Sequence, residues 1–185
     1  MTQLLGLSGS LRAGSFNTAL LRAAQATLPG GVQLDVATLH GIPLYDGDLE
    51  QAGGTPEAVR ALKLRLLAAD GLLLATPEYN NGIPGVFKNA VDWLSRPTPG
   101  VADVFRDRPL AVIGASPGGF GTIVAQAQWL PVLRTLGVRF WSGGRLMVSR
   151  AGTVFAADGT LQDEAVRKQL GEFVAGFAAF APLRA

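Results

Sequence analysis

Hydroxyl side chains, glycines and an arginine crowd into the segment 6–17, near the amino terminus. Ser8, Ser10 and Ser15 supply hydroxyl donors, and Arg12 adds a planar, charged fork of donors. Glycines let backbone amides approach a ligand closely, and a helix that begins here would add free amides and the positive end of its dipole. These groups together favour a phosphate over the alternative, an ordinary strand-to-helix turn capped by a serine.

The type of phosphate follows from what this segment lacks. It contains neither the G-x-G-x-x-G pattern of dinucleotide sites nor the G-K-[ST] ending of a Walker A loop. A mononucleotide phosphate therefore fits better than a pyrophosphate. Phe16 and Asn17 open the predicted helix, where Asn17 either caps the helix or bridges to a neighbouring loop.

Two further loops carry candidate binding groups. Segment 76–85 is stiffened by two prolines and two glycines, so it could present backbone amides and Tyr79 to a flat polar ring, or it could be simply a well-made turn. Segment 116–122 holds three glycines within four positions, so its backbone lies close either to a ligand or to a neighbouring helix. Lys88 and Asn89 either steady the first of these loops or face water.

Apolar runs alternate with helical periodicity along the whole chain. Thr55 and Pro56 are the expected N-cap and first residue of the second helix, and segment 40–54 reads as a long loop. The predicted strands are 3–7, 32–39, 71–76, 109–115 and 138–141, the last with or without 145–148. The predicted helices are 16–28, 56–69, 86–94, 122–136 and 163–181.

Strands separated by helices predict a parallel sheet with helices on both faces. Five strands suit a doubly wound α/β domain with strand order 2-1-3-4-5, covering residues 1–185 as one domain. Such sheets bind ligands outside the carboxyl ends of their strands, at the point where the order reverses. That point brings together the loops after strands one, three and four, which are the three loops described above.

Composition excludes several classes of protein. There is no cysteine and a single histidine, His40, so disulfides, thiol nucleophiles, iron–sulfur clusters and His-rich metal centres are excluded. The net charge is +2 with basic residues scattered, which argues against nucleic-acid binding. No signal peptide or membrane-length apolar run is evident, so a cytoplasmic protein is expected. With 48% hydrophobic and 16% charged residues, some apolar surface should close a subunit interface.

Taken together, the loops resemble the NADPH-dependent FMN reductase family, which includes chromate, quinone and azo-dye reductases. The resemblance covers the chain from about Leu4 to Phe180, and segment 84–93 is its most specific part. The matching segments are GSLR (9–12) with Ser15 and Asn17, PLYD (43–46) with Asp48, TPEYN (76–80), PGVFKNAVDW (84–93) and SPGG (116–119).

The resemblance implies a flavodoxin-like fold that binds FMN, accepts a hydride from NADPH or NADH, and reduces a quinone, an azo compound, a metal oxyanion or free flavin. It implies no catalytic side chain and no metal, and a homodimer or homotetramer in which a neighbouring subunit helps to cover the flavin. Its implied phosphate-site residues are Ser10, Arg12, Ser15, Phe16 and Asn17. Its implied flavin-ring residues are Pro77, Glu78, Tyr79, Asn80, Ser116, Gly118 and Gly119.

Four other functions compete with the reductase. A flavodoxin-type electron carrier would bind FMN without oxidising NAD(P)H, but such carriers usually need an acidic face, which a net charge of +2 does not favour. A low-molecular-weight phosphatase needs a cysteine nucleophile, and this chain has no cysteine. A receiver domain needs an acidic cluster after the third strand, where this chain has Thr76-Pro77-Glu78. A flavin-free interaction protein is a further alternative.

Two single residues complete the expectations. Thr122 stands where many relatives have glycine, which bears on contacts to the nicotinamide. His40 is expected to be a surface or capping residue.

Overall fold

The computed structural model describes residues 1–100 and 102–182. Strands and helices alternate along them as the apolar pattern predicts. The strands are β1 (Thr2–Ser8), β2 (Val32–Ala37), β3 (Gly71–Ala75), β4 (Pro109–Ala115), β5 (Arg139–Phe140) and β6 (Leu146–Val148). The helices are α1 (Phe16–Gln25), α2 (Gly47–Gly53), α3 (Glu57–Ala68), α4 (Gly85–Ser95), α5 (Ile123–Thr135), α6 (Ala151–Val154) and α7 (Glu164–Phe180).

The strands form one parallel sheet in the order β2-β1-β3-β4-β5, which confirms the predicted doubly wound, flavodoxin-like topology. The last position is shared, because β5 pairs with the start of β4 and β6 pairs with its end. Between them, Gly143 and Gly144 leave room for the indole of Trp141, which packs edge-on against Phe173 at 4.7 Å. A Cβ at Gly143 would come within 2.7 Å of that ring, and one at Gly144 within 3.0 Å, so both positions require glycine.

Apolar side chains fill both faces of the sheet, as two-sided burial in a parallel sheet requires. Helices α1 and α7 cover one face, where Leu21 and Phe177 are fully buried. Helices α3, α4 and α5 cover the other, where Trp93 and Trp129 are fully buried. Both tryptophans therefore belong to the core.

The segment between β2 and α3 differs from the prediction. Helix α2 lies within the expected loop, and it buries none of its residues, so no apolar periodicity marks it in the sequence. Its start is capped by Asp46, whose carboxylate accepts a hydrogen bond from the Asp48 amide at 2.9 Å. Thr55 does not cap α3, because its hydroxyl is hydrogen-bonded to that of Thr98 at 2.9 Å and Pro56 takes the N-cap position.

Two negative findings apply to residues 1–100 and 102–182. No helix there combines the length and the apolar character needed to cross a bilayer. No cluster of three or more acidic or histidine side chains in the same residues could hold a metal ion.

Candidate cofactor site

A cleft opens at the carboxyl ends of β1, β3 and β4, where the strand order reverses, as expected for an open α/β sheet. It is bordered by the loops that follow these three strands. The lining residues are Ser10, Arg12, Ser15, Phe16, Asn17, Pro77, Glu78, Tyr79, Ala115, Ser116 and Pro117. Of the residues singled out in the sequence, Asn80, Gly118 and Gly119 lie outside this lining.

The serines of the cleft share one hydrogen-bonding pattern. Ser10 Oγ accepts from the Arg12 amide at 3.3 Å, and Ser15 Oγ accepts from the Thr18 amide at 3.2 Å. Ser116 Oγ likewise accepts from an amide of its own loop, at 3.1 Å. A hydroxyl that accepts in this way keeps its own hydrogen free to donate. The cleft therefore holds three hydroxyls that are available to donate, whereas Ser8 lies deeper and bonds to the buried Thr18 hydroxyl.

Helix α1 points its amino terminus at the cleft. Ser15 is its N-cap and satisfies the Thr18 amide, while the amides of Phe16 and Asn17 have no hydrogen-bond partner among the described residues. Free amides and the positive end of the helix dipole attract an anion to this position. The first turn of α1 carries no acidic residue that could play that part from within the chain.

Arg12 supplies the cation of the cleft. Its guanidinium makes no hydrogen bond or ion pair with residues 1–100 or 102–182, whereas Arg65, Arg96 and Arg167 each pair with a carboxylate. An unpaired guanidinium beside free amides and hydroxyls is a donor set suited to a phosphate monoester, since every group donates. The residues present therefore fit the phosphate of a mononucleotide such as FMN.

Asn17 bridges the first loop to β4, which is one of the two roles its position suggested. Its side-chain amide donates to the Ala115 carbonyl at 2.8 Å, and its side-chain oxygen accepts from the Ala115 amide at 2.9 Å. Ala115 pairs with Val148 of β6 on one side, but β3 ends at Ala75 on the other, and the Asn17 amide takes the place of a strand partner there. Asn17 is 3% exposed, so its contribution to an anion comes chiefly from its backbone amide.

The second loop is built around a tight turn. Tyr79 and Gly82 exchange backbone hydrogen bonds of 3.1 and 3.0 Å, and Asn80 and Asn81 between them have φ values of 49° and 58°. Left-handed backbone at both central positions defines a type I′ turn, which asparagine tolerates better than most residues. Asn80 therefore suits the turn, and it is exposed and does not line the cleft. Tyr79 is 45% exposed beside the cleft, free to lie against a ring.

Contacts from α5 hold this turn in place. Glu78 Oε2 accepts from the amides of Val124 and Ala125 at 2.8 and 2.9 Å, so it caps the start of α5 from outside the helix. Gln128, one turn further along α5, accepts from the Ile83 amide and donates to the Asn81 carbonyl. The negative charge of Glu78 is thereby offset in part by the positive end of the α5 dipole. Nothing in the sequence signalled the part played by Gln128.

The third loop places its glycines differently from one another. A Cβ added at Gly118 would contact only the Ser116 hydroxyl, at 3.4 Å. A Cβ added at Gly119 would have no atom within 4 Å. Gly121, by contrast, has φ +63° and lies against the backbone of Met147, where a side chain would be 3.0 Å away. Close packing against β6 thus explains Gly121, while Gly118 and Gly119 border open space next to the cleft. Thr122 is fully buried over Gly114 and is a packing residue.

The segment that contains PLYD (43–46) is tied down by α4. Asn89 accepts from the Tyr45 amide and donates to the Pro43 carbonyl, both at 2.8 Å, so it steadies this segment and not the second loop. Tyr45 donates its hydroxyl hydrogen to Glu50, and Arg96 binds both Glu50 oxygens. The Arg96 hydrogen bond lowers the pKa of Glu50, and the Glu50 hydrogen bond raises the pKa of Tyr45. Lys88 pairs with Asp92 at 2.7 Å on the helix surface.

Known proteins resemble this chain in sequence and in structure. Residues 2–153 match the family described as NADPH-dependent FMN reductase. An NAD(P)H-dependent FMN reductase of Pseudomonas aeruginosa is 43% identical, with 90% of this chain and 88% of that protein aligned. A 2-hydroxy-1,4-benzoquinone reductase of a Burkholderia species is 37% identical, with 93% of this chain and 92% of that protein aligned. The solved NAD(P)H:(acceptor) oxidoreductase FerB of Paracoccus denitrificans is 34% identical with a TM-score of 0.85, and the match covers 98% of this chain and 97% of that one.

These similarities extend across the three loops that border the cleft and across the sheet that positions them. The family match includes every predicted site residue, and the relatives align over most of the chain. The chain therefore belongs to the NADPH-dependent FMN reductase family.

Proposed function

We propose that the cleft holds FMN and that the protein uses it as an NAD(P)H-dependent reductase of small-molecule acceptors. The observation that carries this proposal is the unpaired guanidinium of Arg12 beside the free amides of Phe16 and Asn17. No carboxylate of the described residues pairs with this donor set, and its position at the reversal point of the sheet suits a mononucleotide. The family match supplies the identity of the nucleotide.

In this proposal, each loop has a separate task. Ser10, Arg12 and Ser15 bind the phosphate together with the first amides of α1, and Asn17 holds that loop against β4. Pro77, Glu78 and Tyr79 border one edge of the flavin ring, with Asn80 shaping the turn behind them. Ser116, Gly118 and Gly119 complete the pocket on the opposite side. The whole chain acts as one unit, since all three loops come from one sheet.

The protein contributes binding, orientation and an open approach to the ring. FMN, when bound, would supply the redox chemistry, which is the transfer of two electrons from NAD(P)H to an acceptor. Glu78 is bonded to the start of α5, and Arg12 and the serine hydroxyls face the cleft as donors, so we assign these side chains to positioning the cofactor. Gly118 and Gly119 leave space in which a second flat molecule can approach.

We propose a quinone as the acceptor class and a homodimer or homotetramer as the assembly. Relatives named as quinone reductases support the acceptor, and the aromatic side chains of Tyr79 and Phe120, 45% and 84% exposed, suit a flat substrate.

The assembly is supported by the outer face of α5. This face exposes Ile123, Val124 and Leu130, an apolar surface that a second subunit would cover. Light scattering of the purified protein tests the assembly. We place the protein in the cytoplasm, where NAD(P)H is supplied.

A visible spectrum of the protein, incubated with FMN and desalted, tests the reductase assignment. We expect a retained flavin band that bleaches with anaerobic NADPH or NADH and returns when a benzoquinone is added. A retained band that neither nucleotide bleaches would instead indicate an electron carrier. Failure to retain FMN would contradict the proposed site.

A further inference from the structure

The exposed part of the first loop, residues 11–14, has one anchor outside the loop. His40 Nε2 lies 3.1 Å from the carbonyl oxygen of Leu11, and no other hydrogen bond in the described residues joins 11–14 to a residue beyond the loop. The loop is otherwise fastened only at its ends, where the Gly9 amide bonds to Ala75 and Ser15 begins α1. The Leu11 carbonyl is thus the point at which the middle of this loop is held.

The hydrogen-bond partners of His40 define the orientation and the protonation pattern of its ring. A carbonyl oxygen can only accept, so His40 Nε2 must carry the hydrogen that is donated to Leu11. Nδ1 lies 3.0 Å from the Thr38 hydroxyl, which donates to it when the ring is neutral. Both partners are reached because β2 pairs with β1, which brings the residues after β2 beside the loop after β1.

We propose that His40 is a positioning residue for the FMN phosphate. Leu11 stands between Ser10 and Arg12, so fixing its carbonyl fixes the direction in which both neighbours point. His40 does not line the cleft, and it therefore acts through the loop and not by contact with the cofactor. This inference rests on the proposed function, which assigns the phosphate to Ser10 and Arg12.

The test compares FMN with riboflavin, which has the same ring and no phosphate. Full-length flavin-free protein is titrated with each flavin, and the dissociation constants are read from flavin fluorescence. We expect His40→Ala to weaken FMN binding by about threefold to tenfold, the effect of one lost neutral hydrogen bond. Riboflavin binding should stay unchanged, because the loop that moves would touch only the phosphate.

Two further variants separate positioning from general damage. His40→Gln keeps an amide donor on a side chain of similar reach and should restore most of the FMN affinity. Arg65→Gln alters the surface groove that Arg65 shares with His40, but Arg65 bonds to Asp35 and Val36 and not to the loop. This control should leave the affinities of both flavins unchanged.

The inference is overturned if His40→Ala weakens FMN and riboflavin equally, or weakens neither. Arg12→Ala distinguishes this failure from failure of the proposed function. If Arg12→Ala lowers the preference for FMN over riboflavin and His40→Ala does not, the phosphate site stands and the positioning role falls. If Arg12→Ala leaves that preference unchanged, the phosphate site itself is wrong.

Discussion

The loops that follow β1 and β3 border the same cleft, but they use their polar groups in opposite ways. In the first loop, the hydroxyl hydrogens of Ser10 and Ser15 and the guanidinium of Arg12 have no partner within the described residues. In the second, the carboxylate of Glu78 is bonded to α5 and the Tyr79 backbone closes a turn. The difference separates groups available to a ligand from groups that build the wall around it. Substitutions should therefore change cofactor affinity in the first loop and stability in the second.

Asn17 is the exception inside the first loop, and its replacement should have the largest effect. Asn17→Ala leaves the buried amide and carbonyl of Ala115 without partners. We expect the free energy of unfolding to fall by about 2–4 kcal/mol, since each buried group left unsatisfied costs about 1–3 kcal/mol. Urea denaturation of the flavin-free protein measures it. Gln33→Ala, which removes an exposed side-chain bond to Gln3, is the control and should cost far less.

Arg12→Ala tests the ligand-facing half of the comparison. The variant should weaken FMN binding by about 1.5–3 kcal/mol, the range for a hydrogen bond to a charged group, with no change in the stability of the flavin-free protein. Fluorescence titration and urea denaturation measure the two quantities. The control is Arg134→Ala, at the opposite end of α5 from the cleft. It should change neither the FMN affinity nor the stability by more than about 0.5 kcal/mol. An unchanged FMN affinity in Arg12→Ala would remove this residue from the phosphate site.

Glu78→Ala tests the wall-building half. Loss of its bonds to Val124 and Ala125 should lower the free energy of unfolding by about 1–2 kcal/mol, as for other lost helix caps. Glu78→Gln keeps an acceptor oxygen, so its free energy of unfolding should fall by less. A variant with full stability and lower FMN affinity would reverse the assignment and make Glu78 a direct ligand.

The turn that follows Glu78 should respond to backbone conformation alone. Asn80→Ala places alanine at φ 49° and should cost about 1 kcal/mol in thermal or urea unfolding, because the left-handed region is strained for it. Asn80→Gly, which removes the same side chain without that strain, should be nearly neutral. Equal losses for both substitutions would mean that the asparagine side chain has a binding role after all.

Protonation of Glu50, in α2, should have the smallest effect on the free energy of unfolding. The pKa of Glu50 is lowered by its hydrogen bond from Arg96, so the stability it contributes is present above its ordinary pKa of 4.5 and is lost as the pH falls through the lowered value. Glu50→Gln should therefore reduce the loss of stability between neutral and acidic pH. Identical pH profiles for the two proteins would show that the exposed ion pair contributes nothing measurable.

Sequence patterns predicted most of the architecture because burial controls them. Strands buried on both faces must be apolar, so β3 and β4 were found within a residue of their bounds. Helix α2 was missed since it buries no residue and leaves no periodicity. Thr55 looked like a cap, yet its hydroxyl is taken by Thr98, far along the chain. Prediction thus failed where a segment is held by contacts and not by its own pattern.

Residue type and spacing were enough to predict the fold class, the reversal point of the sheet and the three loops that meet there. Which polar groups stay free depends on contacts between residues far apart in the chain. Asn17 and Ala115 are 98 residues apart, and Glu78 and Ala125 are 47 apart, yet each pair is hydrogen-bonded. Backbone groups at the ends of strands and helices must find partners once they are buried, and the side chains that satisfy them are those the fold brings near. The groups that those side chains do not satisfy are available to a ligand.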